Sequence, residues 1–165
     1  MKTNKILFIP VYIGFLIAFC PSLQAEHRYS LYLNGPSAAV HFDPYHRDYN
    51  DFPTGFGGEL VIYKKRLTLG FNGHYMFKDS LDNPAYWAGF TVGVHLGNKN
   101  KIWFNPYVII GGLKKNEYNS GKFGFFAFPV LAAGYGRFGF NIGFIPELRG
   151  ITYPILLIQL KFRLV

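Results

Sequence analysis

Three polar residues in a largely apolar chain have the chemistry needed for acyl transfer. His41 ends the run Leu31 to Val40, and Asp79-Ser80 closes the run Leu67 to Lys78. A serine hydroxyl can attack or position an acyl carbonyl, an imidazole can move the proton, and a carboxylate can orient the ring or hold charge. Each residue also has a plainer reading. A histidine at a strand end is often only solvated or hydrogen-bonded, and Asp-Ser at a strand end is a common turn starter. The chemistry requires a fold that carries the ends of two distant segments to one place.

The elements that could do so have a period of two. Leu67, Leu69, Phe71, Gly73, Tyr75 and Phe77 share one side of their segment, and Thr68, Gly70, Asn72 and His74 share the other. The same split separates Tyr86, Ala88, Phe90, Val92 and Val94 from Trp87, Gly89, Thr91, Gly93 and His95. It recurs over Phe138 to Phe144 and over Leu156 to Leu164. Alternation of this kind is the strand period. With turn residues at Lys64 to Arg66, Gly97 to Lys101 and Gly134 to Arg137, it predicts about eight strands of about ten residues each, the scale of a small transmembrane barrel. The large apolar side suits lipid, while the side rich in Gly, Asn, Thr and His suits a narrow lumen. The expected fold is therefore all-β, an eight-stranded antiparallel transmembrane β-barrel with backbone hydrogen bonds closed between strands.

Met1 to Lys5 is basic, Ile6 to Phe19 is apolar, and Pro21 to Ala25 is small and polar. That is the pattern of a cleaved secretory signal, shorter in its apolar part than the ~20 residues of a spanning helix. Two regions are expected, a signal peptide over 1–25 and a barrel over 26–165. Export places the short turns in the periplasm. The segments near His41 to Pro53, Asp79 to Pro84, Lys114 to Lys122 and Pro146 to Gly150 are then extracellular, which puts His41, Asp79 and Ser80 at the outer rim. Beyond Cys20 there is no cysteine, so no disulfide is available.

Composition narrows the function classes. The 165 residues are 50% hydrophobic and 19% aromatic but only 16% charged, too apolar for a disordered chain. Glycine and proline, 19 and 10 residues, are too widely scattered for a helical membrane protein. The net charge of +8 does not argue for nucleic acid, which an exported barrel would not meet. Lys114, Lys115 and Lys122 either face the phosphates of an anionic glycolipid or form a solvated loop.

The predicted interior has two tiers. Ala39, Met76, Trp87, Tyr107, Ile109, Ile145, Ile155 and Leu157 point inward in the outer half, and Asn72, His95, Asn105, Asn141, Gln159 and Lys161 in the inner half. An apolar upper chamber above a polar plug could admit an acyl chain, and it could equally be an ordinarily packed barrel interior. Pro36, Pro53, Pro129 and Pro146 lie in or at the ends of the strands, where each removes a ladder donor. They mark two neighbouring strand pairs where the wall is weakened and a lipid tail could pass sideways. Strand termination near loops also explains Pro53 and Pro146.

Taken together, these residues resemble the lipid A palmitoyltransferases, the PagP family, over about Tyr29 to Arg163. The resemblance rests on Phe77-Lys78-Asp79-Ser80 followed by Ala88-Gly89-Phe90, on Pro129 with Gly134-Tyr135-Gly136 and Phe144-Ile145-Pro146, and on Leu31-Tyr32, His41 and Pro53. It implies an eight-stranded outer-membrane acyltransferase that moves an acyl chain, usually palmitate, from a phospholipid donor to lipid A. The essential rim residues of the family correspond to His41, Asp79 and Ser80. Its lateral gates correspond to Pro36 with Pro53 and to Pro129 with Pro146. The acyl-chain pocket would involve Met76, Trp87 and Ile109, with Thr91 where the family has the glycine that sets pocket depth. A larger side chain there implies palmitate or a shorter chain. On this reading His41 is the general base, Asp79 supports it, and Ser80 positions or attacks the acyl carbonyl.

No cofactor and no metal site are expected, because the histidines are too dispersed for a zinc motif. The expected setting is the outer membrane of a Gram-negative cell, as a monomer with its site toward the extracellular face. Two other functions fit the signal and the alternation: a non-enzymatic structural or adhesion barrel, and a lipid A deacylase.

Overall fold

The computed structural model describes residues 28–43, 48–116, 121–147 and 153–165. The signal segment expected over 1–25 lies outside them. The strands are β1 (Arg28–His41), β2 (Thr54–Lys64), β3 (Leu67–Lys78), β4 (Ala85–Val94), β5 (Leu96–Gly97), β6 (Ile102–Lys114), β7 (Gly124–Tyr135), β8 (Phe138–Ile145) and β9 (Ile155–Arg163). Each pairs antiparallel with its neighbours. β1 pairs with both β2 and β9, and β4 with both β3 and β6, so the sheet closes on itself. The two-residue β5 continues β4 beyond His95, so the barrel wall has eight strands. Closure leaves no free edge, which is what a sheet surrounded by hydrocarbon requires.

The alternation follows the expected sides. Along β4 every second residue is buried, from Ala85 through Trp87, Gly89 and Thr91 to Gly93, while Tyr86, Ala88, Phe90, Val92 and Val94 are exposed. Phe90 is 70% exposed and Leu160 59%, whereas Glu59 is 1% and Lys161 4% exposed. This reverses the order of a water-soluble barrel: the large apolar groups are outside and the charges inside. Such a surface suits lipid.

Buried polar groups are costly without partners, and here they find one another across the lumen. Lys161 Nζ lies 2.7 Å from Glu59 Oε2. The Asn72 amide donates to the same oxygen at 3.2 Å and accepts from Asn34 at 3.2 Å. The Lys161 ammonium also sits 4.1 Å from the centre of the Tyr32 ring, and the Tyr32 and Tyr63 hydroxyls are 3.0 Å apart. This polar network lies in the half near the short turns, where Tyr32, Val61, Tyr63 and Trp103 are buried beside it, so that half is mixed and not the wholly polar plug expected; Trp87, Phe128 and Met76 lie toward the long loops.

Trp103 closes the turn end. Its indole lies over the facing pair Gly134 and Gly139, and its Nε1 donates to the Gly136 carbonyl at 3.2 Å. A Cβ on Gly139 would stand 2.7 Å from Trp103 ring carbons and 2.8 Å from the Ala133 carbonyl oxygen. Gly139→Val should therefore cost about 1–3 kcal/mol through overpacking. That loss would be read as a lower denaturant midpoint for the refolded barrel in detergent, and an unchanged midpoint would contradict the packing described.

The strand ladders are interrupted near the prolines. β7 pairs with β8 only from Val130↔Gly143 to Tyr135↔Phe138, so Gly124 to Pro129 have no register partner on β8. The β1–β2 register ends at Asn34↔Gly57, and the β1–β9 register shifts between Asn34 and Ser37, around Gly35-Pro36. Pro36 and Pro129 have no N–H to give to a ladder, which is the local reason for both interruptions. The interruption between β1 and β2 is partly bridged. Ser37 N–H donates to the Pro53 carbonyl at 3.4 Å and Ala39 N–H to the Asp51 carbonyl at 2.8 Å.

Candidate active site at the loop end of the barrel

The end of β1 delivers His41 and the end of β3 delivers Asp79 and Ser80 to the same mouth. The side chain of His41 is 5% exposed. Neither ring nitrogen has a hydrogen-bond partner among the described residues. The ring stacks on Tyr49, with centroids 4.0 Å apart and planes at 9°, and its Nδ1 lies 4.0 Å from Asp51 Oδ1. Asp79 and Ser80 are 2% and 9% exposed.

Asp79 is held from two directions. Its Oδ1 accepts from the backbone N–H groups of Leu81 at 2.7 Å and Asn83 at 3.0 Å, an Asx-type turn. Its Oδ2 lies 3.0 Å from Lys115 Nζ, beyond the end of β6. The carboxylate therefore makes no hydrogen bond to His41. Of the charges that bear on the imidazole, Lys115 opposes its protonation together with burial, the larger cause, while Asp51, Asp43 and, least, Asp79 favour it. The expected support of His41 by Asp79 is thus not made by a direct contact. Lys115, expected either to face phosphates or to be solvated, has a side chain only 16% exposed and is turned onto Asp79.

The two arms of the site are joined by Asn50. Its N–H donates to the Ser80 carbonyl at 2.9 Å, and its side-chain amide donates to the Asp79 carbonyl at 3.2 Å. Asp43, Tyr49, Asn50 and Asp51 were not singled out by spacing or residue type. The available signal is local: six charged, imidazole or amide residues stand between His41 and Pro53, in a chain otherwise sparing with them.

Below the mouth, Trp87 and Ile109 belong to the apolar cluster with Tyr107, Phe128 and Val130, and Met76 packs against it. Thr91 is 5% exposed and faces Ile109 and Gly70 across its two ladders. The cavity between Trp87, Ile109 and Phe128 is only about 10 Å³. It is filled by the chain's own aromatic rings, since Phe126 and Phe128 stack at 5.1 Å and Trp87 meets Phe126 edge-on at 5.9 Å. Ligand pockets are typically ~300–1,000 Å³. An acyl chain could occupy this tier only after these rings move. Of the four prolines, Pro53 is buried and bridges to β1, whereas Pro36, Pro129 and Pro146 are exposed on the wall.

Fold and site together define a class: a small closed β-barrel, apolar outside and charged inside, with a histidine, a serine and paired charges gathered at its loop end. No protein-family model and no curated protein matches the chain. Among solved structures, it is similar to the backbone structure of the Yersinia pestis outer membrane protein Ail in a phospholipid bilayer nanodisc. The TM-score is 0.47 at 11% identity, over 82% of this chain and 98% of that one.

Proposed function

We propose that this protein is an outer-membrane acyltransferase of the lipid A palmitoyltransferase type, moving an acyl chain from a phospholipid to lipid A at the extracellular face. The observation that carries the reading is His41: a buried imidazole whose nitrogens have no hydrogen-bond partner among the described residues, at the same mouth as Asp79-Ser80, with Tyr49 on its ring and the next residue, Asn50, on the Asp79 and Ser80 carbonyls. An unpartnered buried ring is costly as structure and useful as a base. The exposed Phe and Leu side chains around the wall support membrane residence, and closure without a free edge supports a monomer.

In the proposed reaction an acceptor hydroxyl of lipid A attacks the carbonyl carbon of the phospholipid ester while His41 removes its proton. The Ser80 hydroxyl donates to the carbonyl oxygen as charge develops there. Collapse of the intermediate breaks the original ester C–O bond, and His41 returns the proton to the departing lysophospholipid oxygen. One ester is broken and one is formed. No cofactor is required.

The test is mass spectrometry of lipid A from a Gram-negative host that lacks its own late acyltransferases and expresses this chain. The expected result is a mass gain of one acyl group. A mass loss would indicate a deacylase, and unchanged lipid A with a folded barrel would support a non-enzymatic role. One observation favours that last reading, the tightly filled aromatic tier under the mouth.

A further inference from the structure

The connection between β1 and β2 does more than join them. Tyr49, Asn50 and Asp51 are consecutive, and each is fastened to a different part of the mouth. Tyr49 stacks on the His41 ring at 4.0 Å, and its hydroxyl donates to Asp43 Oδ2 at 2.7 Å. Asn50 binds the main-chain carbonyls of Asp79 and Ser80. Asp51 accepts the Ala39 N–H at 2.8 Å through its own carbonyl and presents its carboxylate 4.0 Å from His41 Nδ1. An imidazole that shuttles protons needs its plane fixed and one nitrogen committed, so that the other meets the reactants. Asp79 cannot supply that commitment, because Lys115 and the turn of Leu81 and Asn83 already hold it.

We infer that Tyr49 and Asp51 are positioning residues for His41, Tyr49 setting the plane of the ring and Asp51 holding Nδ1, so that Nε2 is the nitrogen left for proton transfer. This rests on the transferase reading and deepens it. The present 4.0 Å separation is longer than a hydrogen bond, and catalytic hydrogen bonds commonly tighten only when substrate is bound. Asp51 has a side chain 69% exposed and is free to make that approach. The charges reaching the ring are Asp43 and Asp51 from its own connection, Asp79 from the end of β3 and Lys115 from beyond β6. Of these, Asp51 is the one on the Nδ1 side, with its Oδ1 4.0 Å from that nitrogen.

The experiment compares the full-chain protein, isolated as a folded barrel from membranes, with its Asp51→Asn, Asp51→Glu and Tyr49→Leu variants. Titration of the His41 ring, followed by NMR of labelled histidine, reads the carboxylate directly. Asp51→Asn should lower the midpoint by about 0.5–1 pH unit, since a nearby anion favours the imidazolium and its loss makes the ring easier to deprotonate. Asp51→Glu should restore it. In the phospholipid-to-lipid A assay Asp51→Asn should lower kcat about 10-fold, leave KM for the donor unchanged, and move the acidic limb of the rate profile downward with the titration. Tyr49→Leu should lower kcat by about 10-fold or more through misplacement, without moving the midpoint. A His41 midpoint in Asp51→Asn equal to the wild type's overturns the assignment. An inactive wild type that still shows the titration shift overturns the transferase reading and leaves the positioning intact.

Discussion

Replacing His41 with alanine should abolish acyl addition to lipid A while leaving the barrel assembled. Among the described residues the imidazole has no hydrogen-bond partner to lose, and its stacking contact there is with Tyr49. Such a contact is worth about 0.5–1.5 kcal/mol, too little to unfold a closed barrel. The chemical loss should be far larger, about 10²–10⁴-fold in rate, because the variant has no group at that position to take the acceptor proton. The comparison needs two readouts from one preparation: the lipid A mass spectrum and the mobility difference between heated and unheated protein on a gel. Acyl addition at the wild-type level in a folded His41→Ala barrel would remove the basis of the proposed mechanism.

The largest expected effect on stability lies at the other end of the lumen. Lys161→Met should destabilise the barrel by about 3–5 kcal/mol, the usual consequence of stranding one member of a buried ion pair. Both side chains of the pair are 1% exposed. Among the described residues Glu59 Oε1 already lacks a hydrogen-bond partner, so without Lys161 the carboxylate would keep there only the Asn72 amide on Oε2. The ammonium also leaves the face of Tyr32. Replacing both members, as in Glu59→Leu with Lys161→Met, should recover most of the loss, since two apolar groups leave no buried charge behind. Urea unfolding of the refolded protein in micelles measures both variants. Equal midpoints for Lys161→Met and the wild type would mean that the pair contributes nothing to the closed barrel.

The two predictions sample different kinds of information in the chain. The lumen position of Lys161 is readable from the β9 segment alone, where Gln159, Lys161 and Arg163 alternate with Ile158, Leu160 and Phe162. Its partner is not. β1 lies between the strands of Glu59 and Lys161, with Tyr32 facing Glu59 on one side and Asn34 facing Lys161 on the other. The pair forms only because closure brings the lumen faces of non-neighbouring strands within reach. The aromatic tier behaves in the same way. Trp87 points inward by its place in the β4 alternation, but its contact with Phe126 and Phe128 depends on how side chains from the two strands flanking β6 fill a narrow lumen.

At the mouth, the residue types that suggested chemistry were legible and their connections were not. His41 and Asp79-Ser80 stood out as polar groups at strand ends. That Asp79 faces Lys115 rather than hydrogen-bonding His41, and that Asp51 and Tyr49 are the groups beside the imidazole, depends on loop conformation. Loops have no repeat from which direction can be read, and contacts such as Asn50 with Asp79 form between segments distant in the chain.

By itself, the sequence determined the strand period, the face each strand turns to lipid, the sites where proline interrupts a ladder, and the residue types available for proton transfer. These follow from local rules, since alternation and the missing proline N–H need no knowledge of the rest of the chain. Only the tertiary structure decided which charges pair across the lumen, how little space remains beneath the mouth, and which side chains surround His41. Those depend on closing β1 onto β9, because closure sets the distances between groups that share no strand and no local pattern.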